Sequence, residues 1–208
     1  MSRRNVNRVP VHLDSGGIAE LPMDDIRAIL RGADTMISSG GRTLLSKLLK
    51  GSRDKKILEL GLDRCPVHGY YSKLPLQEIL KRIDWTIQQK YLRIAYEWRL
   101  PTLVFTDRGW AIEIETMTDE LLESFDHRQA HGPPFEMSDL KDRNRGMILL
   151  LLDKIENSGR SDFIPLLRAW AAIDYKMIRE RIGAVTRSLQ ETSEASGATT
   201  PDEPLSRS

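Results

Sequence analysis

The sequence predicts a mainly helical α+β protein with a single β-hairpin. Two observations carry that expectation. Apolar residues recur at helical spacing through most of the chain, and one short stretch, residues 91–106, switches to β-branched and aromatic residues around a turn. Hydrophobic residues make up 40% of the 208 and charged residues 29%, which suits a water-soluble core-forming chain. The longest apolar run, Met147 to Leu152, falls far short of the roughly 20 residues a bilayer span needs, so no membrane partner is expected. The opening Met1-Ser2-Arg3-Arg4-Asn5 is basic without an apolar stretch behind it, unlike a secretory signal. A lone cysteine, Cys65, excludes an internal disulfide and a multi-cysteine zinc site, and fits a reducing cytoplasm.

Each element follows in order. Residues 1–20 lack periodicity, contain Gly16-Gly17, and read as flexible. Pro22 opens a helix within 21–39 whose apolar positions are Met23, Ile26, Leu30, Ala33 and Ile37; Asp24 and Asp25 suit its positive end and Gly40-Gly41 breaks it. A second helix spans 42–50, with Leu44, Leu45, Leu48 and Leu49 as its stripe and Gly51 as its stop. Ser52 is placed to cap a helix carrying Ile57, Leu58 and Leu60. After a loop over 61–73, Pro75 begins a helix to about Lys90 with Leu76, Ile79, Leu80, Ile83 and Ile87 inward. Strands follow at 91–96 and 102–106, joined by Glu97-Trp98-Arg99-Leu100-Pro101 and ended by Asp107-Arg108-Gly109. Three helices and then a two-stranded hairpin are the order of a winged helix, assigned to 40–125. Residues 126–137, with His131-Gly132-Pro133-Pro134, read as a linker. Two further helices, at about 138–157 and 161–189, joined at Ser158-Gly159-Arg160, read as a C-terminal helical hairpin over 138–190. The Ser-, Thr- and acid-rich tail 191–208 reads as disordered.

The net charge of +1 conceals a division. Residues 42–110 hold 14 Lys/Arg against 7 Asp/Glu, whereas residues 111–208 hold 12 against 18. A basic middle segment suits a polyanion partner; solvated lysines on helix faces are the plain alternative.

The strings Gly41-Arg42-Thr43-Leu44-Leu45 and Leu49-Lys50-Gly51-Ser52-Arg53-Asp54-Lys55-Lys56-Ile57-Leu58-Glu59-Leu60-Gly61 resemble the opening of the RQC domain of RecQ-family helicases. His68-Gly69-Tyr70-Tyr71 and Trp85 to Leu92 resemble its loop and third helix, and Phe105-Thr106-Asp107-Arg108-Gly109 its wing closure. The whole chain also resembles stand-alone bacterial RQC-minor proteins. Two departures limit what the resemblance implies. No glycine-rich phosphate loop ending in Gly-Lys-Ser/Thr is present, and the place of the RecQ four-cysteine zinc module is taken by the first helix. The expectation is therefore DNA binding without catalysis, metal or cofactor.

The resemblance assigns phosphate contacts to Lys50, Ser52 and Lys56, with Arg53 and Lys55 beside them. Lys50-Gly51-Ser52 by itself reads either as an anion site at a helix start or as an ordinary glycine stop and serine cap. Trp98 stands in the hairpin loop, where an exposed indole stacks on a terminal base pair or wedges between bases; folding back on Tyr96 is the alternative. Arg99 would reach a nearby phosphate. Ser72, Lys73, Lys81 and Arg82 mark the start and outer face of the third helix, which reads the major groove in many winged helices. Trp85 and Trp110 read as core. His127 and His131 have the spacing of a metal pair but no third ligand, and Cys65 with His68 lacks the partners a thiol nucleophile needs. Three functions remain open: a binder of duplex ends or branched DNA working beside a separate helicase or other repair protein, an operator-binding transcription regulator, and a protein adaptor.

Overall fold

The computed structural model describes residues 8–37 and 40–197; residues 1–7, within the segment read above as flexible, and 198–208, within the tail read as disordered, lie outside them, whereas residues 191–197 of that tail are helical, continuing the last helix. The chain divides into two units, Met1–Thr116 and Met117–Ser208.

In the first unit, α1 (Met23–Asp34), α2 (Arg42–Lys50), α3 (Lys55–Glu59) and α4 (Leu76–Gln88) precede the hairpin of β1 (Leu92–Glu97) and β2 (Leu100–Phe105). The strands pair antiparallel, Leu92 opposite Phe105 and Glu97 opposite Leu100. This is the helix-and-hairpin order that the sequence predicts. The core is built from the inward stripes of α1, α2 and α4, with Ile29, Leu30, Leu45, Leu48, Leu49, Ile79 and Ile83 fully buried, and Leu92 and Leu103 closing it beneath the hairpin. Of the apolar residues assigned to the third helical segment only Ile57 is buried; Leu58 and Leu60 are exposed, because α3 is a single turn and a half that ends at Glu59.

Residues 8–20 are not a loose leader. Val9 donates its N–H to the Arg99 carbonyl at 3.2 Å, the Tyr96 hydroxyl donates to the Val9 carbonyl at 3.0 Å, and the Asp14 N–H meets the Asp84 carboxylate at 2.9 Å. Leu13 and Ile18 pack on the core. The Asp14 carboxylate accepts from the Gly16 N–H at 2.8 Å, so the Gly16-Gly17 pair makes a turn within an ordered strap.

Residues 107–131, of which the sequence reads 107–109 as the hairpin's end and 126–131 as part of a linker, form one helix, α5 (Asp107–His131). Thr106 caps it, its hydroxyl accepting the Gly109 N–H at 3.2 Å. Gly109, inside the first turn of this helix, is required by packing and not by a turn. A Cβ there would lie 2.0 Å from the Tyr91 carbonyl oxygen.

The second unit contains α6 (Arg145–Asn157), α7 (Ile164–Ala171) and α8 (Lys176–Gly197). Two expected helices are therefore three. α6 begins at Arg145 and not near 138, because Asp142 has φ +65° and Asn144 caps the helix through Gly146 and Met147. The segment expected to be continuous over 161–189 breaks at 172–175, where the Asp174 carboxylate accepts from the Trp170 indole and the Tyr175 N–H, both at 2.7 Å. Phe125, Phe163 and Trp170 meet edge to face in this core, with ring centres 5.6 and 5.9 Å apart. No helix among the described residues is long and apolar enough to cross a membrane.

Candidate nucleic-acid interface

The corner after α2 is set by glycine. Gly51 has φ +80°; its N–H reaches the Leu48 carbonyl and that of Ser52 the Lys47 carbonyl, each at 2.9 Å, a Schellman closure. With no side chain, Gly51 lies against Gly69, where an added Cβ would meet the Gly69 Cα at 3.0 Å. The Gly69 and Tyr71 N–H groups then bond the Leu48 and Leu49 carbonyls at 3.1 and 2.8 Å. This seats the 61–75 loop against the end of α2, and the Lys50 ammonium donates to the Ser72 carbonyl. Lys50, Ser72 and its neighbour Lys73 are thereby gathered at one place, with Ser52 held by His68 through its carbonyl at 3.0 Å.

The expectation that Ser52 caps α3 is corrected. The residue before α3 is Asp54, and the Ser52 hydroxyl accepts the Asp54 N–H at 3.2 Å, closing the turn ahead of the helix. The Asp54 carboxylate accepts from the Lys47 ammonium. That bond, with the Ser52 hydroxyl second, holds Asp54 below the usual carboxylate range. The short helix start thus already has a carboxylate beside it, and the positive charge of this region lies on the lysine and arginine side chains. Arg53, Lys55 and Lys56 are exposed; Lys55 pairs with Glu59 at 3.6 Å.

The hairpin turns in two residues, Trp98 and Arg99. Trp98 has φ +56° and is 84% exposed, so the indole neither folds back on Tyr96 nor joins the core. It lines a cleft of about 550 Å³ together with Arg99, Leu100 and Lys56. The structure therefore brings together three residues expected separately to bind DNA: Trp98, Arg99 and Lys56. Lys56 has no ion-pair partner among the described residues, so its ammonium is available to a phosphate.

Lys81 is placed differently. It pairs with Glu78 at 2.7 Å, which raises its pKa, and its side-chain methylenes lie where a Cβ on Gly16 would be 2.6 Å away. Arg82 is drawn toward Glu78 and Asp25, at 3.6 and 4.0 Å, and covers the Tyr71 ring. The strap at 13–16 and these ion pairs occupy the part of α4 that sequence alone offered to a DNA groove. Trp85 is buried, and Trp110 is half-buried against Phe105 with ring centres 5.6 Å apart. His127 and His131 share α5, the His131 ring bonding the His127 carbonyl at 2.6 Å; no group of three metal-ligating side chains occurs among the described residues. The strap is what sequence reading missed. Its signal was the apolar series Val9, Val11 and Leu13 ahead of a glycine turn, with Ile18 directly after it.

Comparison with known proteins yields one match. The model of the RQC domain family covers residues 23–128. None of the curated proteins matches the chain. None of the solved structures does. The RQC domain is a DNA-binding winged-helix domain and is not itself catalytic. With more than half of its residues matched, and with the helix order, glycine corner and hairpin described above, the chain belongs to the RQC domain family.

Proposed function

We propose that this protein recognises DNA by structure, gripping duplex ends, forks or junctions with little regard for sequence. The observation that carries the reading is the Trp98 indole, almost wholly exposed on a two-residue turn and beside Lys56 in one cleft. The left-handed backbone at Trp98 belongs to the two-residue turn, whose twist requires a positive φ at its first residue, and it holds the indole out from the hairpin tip. A base-pair face offers the missing partner, since stacking is insensitive to base identity. Lys50, Ser52, Arg53, Lys55, Lys56, Ser72 and Lys73 supply phosphate contacts, and Arg99 supplies one beside the stacked pair. The protein would act in the cytoplasm, on nucleoid DNA, beside a separate helicase during replication or repair.

Operator reading by α4 is the weaker alternative, because the strap and the Glu78 ion pairs occupy its outward Lys81 and Arg82. Titration against blunt duplex, fork, Holliday junction, quadruplex and single strand, repeated with Trp98→Ala and Lys50→Ala, separates the readings. Structure recognition expects Trp98→Ala to weaken ends and forks selectively and Lys50→Ala to weaken every duplex. A palindromic site preferred over all other sequences would favour the regulator.

A further inference from the structure

The wing-tip cleft does not end at Trp98. A second cleft, of about 400 Å³, shares Gly41, Lys56, Pro101 and Thr102 with it and continues between the strap and α2. One wall is apolar, made by Val9, Pro10 and Val11. The facing wall carries Lys47, Arg42 and Lys56. Two of these cations are matched within the fold, Arg42 by Asp84 and Lys47 by Asp54; Lys56, at the junction of the two clefts, is not. Arg8 adds a further positive charge at the strap's upper end, its guanidinium 5.0 Å from the centre of the Tyr96 ring.

We infer that this strap-walled cleft receives the unpaired strand of an overhanging or forked DNA end. The inference rests on the end-binding reading above, for it begins where Trp98 stops the duplex. A strand that can no longer pair beyond the indole must leave the stack, and the continuous channel past Lys56 is its adjoining route. The wall chemistry fits a single strand. An apolar side accommodates base faces, and Lys56, unmatched at the junction, can meet the strand's backbone phosphate. The wall is held by the Val9 N–H to the Arg99 carbonyl and by the Tyr96 hydroxyl to the Val9 carbonyl, so the strap and the wing tip are one assembly.

Fluorescence anisotropy on the full chain tests this with a blunt duplex and the same duplex bearing a short single-stranded extension, each polarity in turn. An extension of one polarity is expected to tighten binding about tenfold. Val11→Glu, a charge placed on the half-buried cleft wall, is expected to remove that gain while leaving blunt-duplex affinity within about twofold. Tyr96→Phe, which loosens the strap without adding charge, should reduce the gain partway. No gain from either polarity overturns the inference, as does a Val11→Glu variant that weakens blunt and extended duplexes alike. Loss of blunt-end binding in Trp98→Ala with no extension effect would leave the wing reading standing and remove only the single-strand channel; absence of any end binding in the unaltered protein would remove the wing reading itself.

Discussion

Asp14 and Asp84 meet backbone to side chain, the Asp14 N–H donating to the Asp84 carboxylate at 2.9 Å while its other oxygen accepts from Arg42. Asp84 is 3% exposed, so one buried carboxylate ties the strap, the start of α2 and the middle of α4 together. Removing it leaves the Arg42 guanidinium partly buried without a counter-charge. Asp84→Ala is expected to lower stability by about 2–4 kcal/mol in urea denaturation. It should also expose the strap to proteases while the rest of the first unit stays folded in water. An unchanged midpoint would show that the pair contributes nothing net.

Lys56→Ala should weaken all duplex substrates and reduce the dependence of log K on log salt by about one. Lys56 is exposed and outside the core, so thermal stability should not move. Binding isotherms at several salt concentrations read the slope directly; an unaltered slope would take Lys56 out of the interface.

Gly109→Ala is expected to cost about 2–4 kcal/mol, because the new Cβ collides with the Tyr91 carbonyl where α5 begins against the hairpin. Gly132→Ala makes a useful contrast. That glycine has open space around it, and only its φ of +75° opposes the change. Calorimetric unfolding of the two variants should show the larger loss at Gly109.

Burial pushes the Tyr71 phenol well above its ordinary value near 10, with Asp25 adding to the effect. A folded-state pKa raised in this way means stability that is complete below pH 10 and declines above it, as the unfolded chain ionises and the folded one does not. Urea midpoints measured from pH 9 to 11 should fall more steeply for the unaltered protein than for Tyr71→Phe. Parallel curves would contradict the buried neutral phenol.

The helix and strand pattern of the first unit was legible because its signals are local. Leu44 to Leu49 make an amphipathic stripe, Gly51 stops it, and Thr102 to Phe105 are rich in the β-branched and aromatic residues that strands favour. α5 escaped detection because its apolar residues, from Trp110 through Phe125, are spread around the helix and lack a single stripe, and because Gly109 looks like a terminator until its contact with Tyr91 is seen. Trp98 could be read as exposed from its loop position. That Lys56 lines the same cleft, and that Lys81 is covered by residues 65 positions earlier, depends on tertiary contacts that no local pattern records. Ser52 illustrates the limit most clearly. Its residue type suits a cap, yet the helix starts two residues later than the pattern suggested.

The central claim is that the Trp98 indole reads a DNA terminus. Competition between a linear duplex and the closed circular form of the same sequence tests it most directly, since the two differ only in having ends. The account predicts a preference for the linear form of about tenfold that Trp98→Ala abolishes, with affinity for the circle unaffected. Equal affinity of the unaltered protein for line and circle would contradict it.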